Sequence, residues 1–319
     1  MKKNTLCLCA IVKNEEKIIM EMILSCINYI DYAVICDTGS IDNTIKTIKE
    51  LLEFESIPYE IHQLKWYNYA ANRNHYIELA KEKTSHILVL DADERLNVTN
   101  KNFKDKLDDF HLIRIKECNG PEIKYPNIFR NDSRIEYVGD IHEQPKFPIE
   151  FKQGRSLNYD IDIIHTAEGS NRRNKFRRDM MICLDRDPFP NIPGRREYYL
   201  GICSLNLKDT ITAKEYFLKR AMMKIENDNN DEEKWHAYMM YSFCFVEEKN
   251  VEEYSHNLIC AYFMRPSRLE PLHLLISALE LHGYMEKRNR ISTILRDARE
   301  RVAFPENDRI AINSSLYNK

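Results

Sequence analysis

From Thr5 to Leu90, short apolar runs alternate with stretches whose apolar residues recur at helical spacing. Thr5–Val12 is a nearly unbroken apolar run of strand length. Glu15–Tyr29 carries Ile18, Ile19, Met22, Ile23, Cys26 and Ile27, which fall on one face of a helix. Tyr32–Cys36 predicts a second strand. Asp42–Leu52 predicts a second helix, opened by Thr38-Gly39-Ser40 and capped by Asp42. Tyr59–Leu64 follows as a strand, Tyr69–Lys81 as a helix, and His86–Leu90 as a fourth, very apolar strand. Strands alternating with helices predict a parallel sheet covered on both faces. Such sheets bind ligands beyond the carboxyl ends of their strands. Chemistry is therefore expected in the loops after Val12, Cys36 and Leu90.

Between Phe110 and His165 the texture changes to short strands and turns: His111–Cys118, Asn127–Arg130, Arg134–Val138 and Ile161–His165. This pattern predicts a mixed extension of the sheet. Beyond it the chain turns helical, with Arg172–Asp187 followed by a break at Pro188, Pro190 and Pro193. Further helices are expected at Arg196–Leu207, Thr212–Ile225, Glu233–Glu247, Val251–Phe263, Glu270–His282 and Arg288–Arg299. Two domains follow from this division, an α/β domain over 1–170 and an all-α domain over 171–319. Leu200, Gly201, Ala213 and Phe217 match the small and large packing positions of a tetratricopeptide hairpin. Trp235 to Ala261 echoes that pattern at a longer period. Any helical hairpin needs small residues at close crossings, so a plain hairpin array is the competing interpretation.

The 319 residues are 43% hydrophobic and 30% charged, which excludes wholesale disorder. The net charge is −3 and both signs are interspersed. A dedicated nucleic-acid binder, with its basic stripe, is excluded on that ground. Nine cysteines, an odd number without a CxxC pair, include several within apolar runs. They predict buried thiols in a reducing compartment rather than a disulfide framework. Met1-Lys2-Lys3 before an apolar stretch resembles a signal peptide, but Lys13-Asn14-Glu15-Glu16 follows with no small-residue cleavage site, so a first strand is expected. No apolar run approaches the roughly 20 residues of a membrane span. A cytoplasmic protein is expected.

The fourth strand runs into Asp91-Ala92-Asp93-Glu94. Residues i and i+2 of a strand point the same way, so Asp91 and Asp93 are expected to share one cation. A hard divalent ion takes carboxylate oxygens and keeps positions open for phosphate, which suits Mg²⁺ or Mn²⁺ on a nucleoside diphosphate. The competing interpretation is a turn in which an Asp satisfies backbone N–H groups. Asp37, ending the second strand, is placed to accept a bond from a nucleobase, while Thr38 and Ser40 are explained as turn formers. Ile11, Val12, Asn14 and Glu15 end the first strand beside the same crevice. Arg73 lies in the first turns of the third helix, where it either reaches a diphosphate or makes a surface ion pair.

In order along the chain, Lys13-Asn14-Glu15-Glu16, Asp37-Thr38-Gly39-Ser40-Ile41-Asp42-Asn43-Thr44, Ala71-Asn72-Arg73-Asn74 and Leu90-Asp91-Ala92-Asp93-Glu94 resemble family 2 of the glycosyltransferases. The resemblance covers residues 5–95. Phe129-Arg130 and Ile135–Glu143, with Gly139-Asp140-Ile141-His142-Glu143, are similar to a bacterial-type subgroup with a Gly-x-x-His-Glu stretch. Some members of that subgroup modify lipopolysaccharide cores and some modify peptides, and several carry helical repeats. One departure is Ile11-Val12 where that family often has Pro-Thr.

The resemblance implies a GT-A type, Rossmann-like mixed sheet followed by tetratricopeptide-like helices. It implies nucleotide contacts from Ile11, Val12, Asn14, Glu15 and Asp37, and a diphosphate contact from Arg73. Asp91, with Ala92, would lie beside the ribose or metal, and Asp93 would be the main metal ligand. The inverting displacement of such enzymes needs a carboxylate to take the acceptor's proton. Glu143 is the chosen base, with Asp140 and Glu94 as rivals. His142 would orient the base or touch the diphosphate, and His165, ending a strand near the domain junction, would be a third metal ligand, although a lone histidine is more often structural. The basic run Arg172, Arg173, Lys175, Arg177 and Arg178 is a solvated helix face, or closes over the diphosphate, or attracts an anionic acceptor.

The expected function is metal-dependent, inverting transfer from a UDP-sugar to a glycan, lipid-linked or peptide acceptor. The helical half would dock the acceptor or a second copy, giving a homodimer. Two other classes compete. One is an interaction protein with a catalytically dead sheet. The other is a nucleotidyltransferase, which would need a glycine-rich basic first loop that Lys13-Asn14-Glu15-Glu16 does not provide.

Overall fold

Leu6–Val12 (β1) is an interior strand, so both of its faces are buried. Leu6, Leu8, Ala10 and Val12 face one apolar layer, and Cys7 and Cys9 face the other. Ile19–Cys26 (α1) and Thr44–Phe54 (α2) contribute Ile19, Met22, Ile23, Ile48 and Leu52 to the first layer. Tyr69–Ala80 (α3) contributes Ala70, Tyr76, Ile77 and Ala80 to the second. Each fully buried Leu or Ile contributes about 1.5–3 kcal/mol. The computed structural model describes residues 4–117, 122–154, 157, 160–169, 174–189, 192–224, 231–246 and 248–301. The expectations placed on Cys118, Arg172, Arg173, Pro190, Ile225, Glu247 and residues 302–319 lie outside the described residues.

The chain divides into two units, Met1–Arg173 and Asn174–Lys319. In the first, Tyr32–Asp37 (β2), Tyr59–Gln63 (β3) and His86–Val89 (β4) join β1 in parallel. Glu94–Val98 (β5), Phe110–Glu117 (β6), Glu122–Arg130 (β7) and Ile161–His165 (β10) extend the sheet. The order is β3-β2-β1-β4-β7-β6-β10-β5, with β7 antiparallel to β4 and β6, and β5 antiparallel to β10. This is the mixed α/β sheet expected of the GT-A type. Glu136–Val138 (β8) and Gln144–Lys146 (β9) form a separate two-stranded ribbon.

The second unit is helical: Lys175–Asp185 (α4), Arg195–Asn206 (α5), Thr210–Met222 (α6), Asp231–Phe243 (α7), Val251–Met264 (α8), Glu270–Leu281 (α9) and Met285–Arg301 (α10). Each helix packs against the next. Asp209 and Asn250 cap α6 and α8 by accepting from the backbone N–H of Thr212 and Glu253. At the α5–α6 crossing a Cβ on Gly201 would stand 2.6 Å from the Phe217 ring, so only glycine admits this approach.

Three local expectations are corrected. The first helix begins at Ile19 rather than Glu15, because Asn14 sits at φ 55° in a turn and the N–H groups of Ile18 and Ile19 both donate to Glu15 O. Asp42 is not the residue capping α2, which is Asn43, but its Oδ1 accepts from Thr44 N and Oγ1. The fourth strand ends at Val89, so Asp91-Ala92-Asp93 lies on a turn, not on a strand.

Candidate active site

The carboxyl ends of β1 and β2 lie side by side, with Val12 opposite Asp37, and Leu90 N donates to Cys9 O where the chain leaves β4. The first two loops are stitched together. Asn14 N donates to Ser40 Oγ at 3.0 Å, Ile41 N donates to Asn14 Oδ1 at 2.8 Å, and Glu15 N donates to Thr44 Oγ1 at 2.7 Å. Asp37 is 1% exposed. Its Oδ1 accepts from Ser40 N at 3.0 Å and Ser40 Oγ at 2.7 Å. Among the described residues, its Oδ2 is buried without a hydrogen-bond partner. A buried acceptor without a donor is costly, and a ligand N–H is what would relieve it.

Asn68 starts α3 by accepting from Ala71 N at 2.7 Å, which sets Arg73 in the first turns. The Arg73 side chain is only 7% exposed. Its Nε donates to Glu143 Oε1 at 2.6 Å, Nη2 to Asp91 Oδ1 at 3.0 Å and Nη1 to Tyr76 Oη at 3.1 Å. The guanidinium also lies 5.6 Å from the Tyr137 ring centroid. Burial opposes the charge, but Tyr76, Asp91 and Glu143 outweigh it and hold the Arg73 pKa well above its ordinary value. Arg73 is thus an internal clamp on two carboxylates. The expectation of a surface ion pair is corrected by its burial.

The Glu143 segment is latched to α3. Asn74 Nδ2 donates to Tyr137 O at 3.0 Å, and Tyr137 N donates to Asn74 Oδ1 at 2.7 Å. Asn68 Nδ2 donates to Asp140 Oδ1. Tyr125 Oη donates to Glu143 O at 2.7 Å. His142 is exposed beside Glu143, at φ 49°.

Asp91 and Asp93 diverge. Glu94 N donates to Asp91 O at 3.0 Å, closing a tight turn that faces the two side chains toward different partners. Asp91 is 48% exposed and turned to Arg73. Asp93 Oδ2 meets His165 Nε2 at 3.2 Å and accepts from Gly169 N at 3.2 Å. His165 is brought there by β10, which pairs it with Glu94 at the start of β5. Burial works to raise the Asp93 pKa, but the bonds from His165 and Gly169 prevail and hold it below the usual carboxylate value. Among the described residues no three His, Cys, Asp or Glu side chains gather as a metal-ligand set. Of the expected trio, Asp93 meets His165 while Asp91 meets Arg73. The expectation that Asp91 and Asp93 point the same way assumed extended backbone, and the turn separates them.

Glu94 is buried and accepts from Asp91 N at 2.9 Å. Burial, and then the charge of Asp91, push its pKa up to about 8. Sequence reasoning gave no role to Tyr76, Asn74 or Gly169. The first two follow Arg73 by three and one residues, a spacing that marks Tyr76 as a helical neighbour. Gly169 has a steric reason: a Cβ there would stand 3.0 Å from Asp93 Oδ2.

Residues 7–99 match the model of glycosyl transferase family 2. The match is confined to that stretch of the first unit. That stretch includes Asn14, Asp37, Arg73, Asp91 and Asp93, and the rest of the first unit supplies Glu143 and His165. Among solved structures the chain is similar to Staphylococcus aureus TarS, at 13% identity and a TM-score of 0.45, covering 78% of this chain and 54% of that one. It thus spans about half the length of that TarS chain. It is also similar to TarS 1–349 in complex with UDP-GlcNAc, at 12% identity and a TM-score of 0.45, covering 82% and 92%. A third likeness is to the mannosyltransferase PcManGT from Pyrobaculum calidifontis in complex with GDP-Man and Mn²⁺, at 11% identity and a TM-score of 0.44, covering 95% and 88%. No curated protein matches the chain. None of the described helices is long and apolar enough to cross a membrane.

Proposed function

We propose that the family 2 domain transfers a sugar from a nucleoside diphosphate sugar, with UDP as the nucleotide, to an acceptor hydroxyl with inversion at the anomeric carbon. The observation that carries this reading is the Arg73 clamp, which draws α3, the turn after β4 and the Glu143 segment together at the carboxyl ends of the strands. Asp37 Oδ2 takes an N–H of the base, and the Ile11–Glu15 edge flanks it. Glu143 is the base. Arg73 occupies its Oε1, leaving Oε2 for the acceptor proton. As the acceptor oxygen bonds to the anomeric carbon, its proton passes to Glu143 and the bond from that carbon to the diphosphate oxygen breaks. Asp140, bonded to Asn68, and Glu94, buried and accepting from Asp91 N, serve less well.

Asp93 and His165 fit a divalent cation. The pair offers an ionised carboxylate oxygen and an imidazole nitrogen, a donor set that suits Mn²⁺ or Mg²⁺ when phosphate oxygens complete it. The ion would neutralise charge on the departing diphosphate. Glycan, lipid-linked and peptide acceptors all supply the required nucleophile, and the helical unit is read as a docking surface for the acceptor or for a second copy. Of the described cysteines, only Cys260 is not buried and all are free thiols, which supports a reducing, cytoplasmic setting.

The test is thermal unfolding with UDP, with and without Mn²⁺, followed by a screen of nucleotide sugars for hydrolysis. At about 100 times Kd the nucleotide contributes about 2.7 kcal/mol and raises Tm by several degrees. Absence of both stabilisation and hydrolysis under all metal conditions overturns the reading.

A further inference from the structure

The loop between β3 and α3 holds two aromatic rings in solvent. Trp66 is 36% exposed and Tyr67 is 68% exposed. The loop is not slack. Leu64 N donates to Asp37 O at 2.8 Å at its start. Asn72 is buried, 2% exposed, yet its amide serves the loop: Tyr67 N donates to Asn72 Oδ1 at 3.2 Å, and Asn72 Nδ2 donates to Lys65 O at 3.4 Å. Asn68 closes the loop by capping α3 and bonding Asp140. The Trp66 ring stands edge-on to Tyr69, with centroids 4.8 Å apart.

The Asn72 amide fixes the loop backbone and with it the place of both rings, and Lys65 Nζ lies 5.6 Å from the Tyr67 ring centroid. Preorganised aromatics are what a binding surface needs, because their area is offered at little further entropic cost. The polar fringe identifies the ligand. Asn68 and Asp140 lie at the edge of the loop, and Asp140 precedes the proposed base, Glu143, by three residues. A pyranose ring matches this chemistry, since its C–H face packs on the negative face of an aromatic ring while its hydroxyls meet amide and carboxylate groups.

We propose that Trp66 and Tyr67 form a stacking platform for a pyranose ring of the acceptor, beside Glu143. The proposal rests on the transferase reading above and narrows its acceptor to one that presents a sugar. A nucleobase ring is the rival occupant of such a platform, and the test separates the two.

The chain contains two tryptophans, and the other, Trp235, is fully buried. Labelling with 5-fluorotryptophan therefore gives two ¹⁹F resonances, assigned with Trp66→Phe. The probes are UDP alone and then maltose, lactose and chitobiose in the presence of UDP. The expected result is that UDP stabilises the protein and leaves the Trp66 resonance in place, whereas at least one saccharide shifts it and leaves that of Trp235 unmoved. Trp66→Ala and Tyr67→Ala then weaken that saccharide about tenfold each with UDP affinity unchanged, and Trp66→Phe restores most of it. A Trp66 resonance that moves with UDP alone, together with weaker UDP binding by Trp66→Ala, assigns the platform to the base and overturns the proposal. UDP binding with no response to any saccharide overturns it as well. If UDP does not bind at all, the transferase reading fails and the platform falls with it.

Discussion

Arg73 Nε and Glu143 Oε1 meet at 2.6 Å across 70 residues of sequence, and both side chains are almost wholly buried. The same guanidinium holds Asp91 at 3.0 Å. A planar fork fixes the direction of two carboxylates at once, which the single ammonium of a lysine does not.

Arg73→Lys should therefore keep the charge and lose the geometry. The expected outcome is a fall in kcat/KM of about a hundredfold or more with most of the stability retained. Arg73→Ala should also destabilise the fold by about 3 kcal/mol, mainly because Glu143 loses a buried countercharge, Asp91 being half exposed and better solvated. Steady-state kinetics and urea denaturation measure the two effects separately. Parental activity in Arg73→Lys would remove the clamp from the mechanism.

Asp93→Ala and His165→Ala should each abolish metal-dependent stabilisation by UDP and lower turnover by about a hundredfold or more, with the fold intact. Chelation by EDTA should do the same to the parent chain. Titrating Mn²⁺ against Tm checks this, and undiminished activity of Asp93→Ala counts decisively against the pair as the metal site.

Asp37→Asn tests the unpaired Oδ2. The variant amide keeps an oxygen for Ser40 and turns its N–H₂ toward the place where a base N–H is proposed to donate. Two donors then face each other. UDP affinity should fall by about 10- to 100-fold, measured by calorimetry, with little change in the circular dichroism spectrum. Unchanged affinity would mean that the base lies elsewhere.

Two buried histidines make stability acid-sensitive. His86, bonded through both ring nitrogens to Ser85 and to Asp108 O, is pushed down by burial to about 4. His236, beside Tyr198 Oη, is likewise lowered to about 4 by burial and then by Arg268. Both folded values lie below the unfolded value of about 6.5, so the folded state binds fewer protons between them. The stabilisation is whole above about pH 6.5 and is lost as the pH falls toward 4, by up to about 3 kcal/mol for each histidine. Denaturant midpoints across that window should fall, and His86→Asn and His236→Gln should each flatten part of the slope.

Gly201→Ala places a Cβ against the Phe217 ring. A loss of about 1–3 kcal/mol in the helical unit is expected. Combining it with Phe217→Leu should recover part of the loss, a non-additivity that a double-mutant cycle measures directly.

The site was legible where chemistry sits at the end of a regular element. Asp37 closes an apolar strand and the hydrophobic run of β1 ends at Val12, while the pairing of the two strands is what sets Val12 opposite Asp37. Arg73 follows a capping Asn68 by a fixed helical distance. By contrast, β5 and β9 escaped detection because Glu94–Val98 and Gln144–Lys146 are short and largely polar. Their pairing depends on β10 and β8, partners remote in sequence or set by the loop between them. Asp91 and Asp93 were misread because two residues decide whether a chain stays extended or turns.

Residue spacing by itself determined the alternating layers, the helical second unit and the loops that carry chemistry, because burial period and turn chemistry are local properties. Tertiary packing decided that Arg73 faces inward to Glu143, that Asp93 turns to His165 while Asp91 does not, and that Glu94 is buried, which raises its pKa. Those outcomes depend on which distant side chains exclude water from a charge, and no local spacing encodes that.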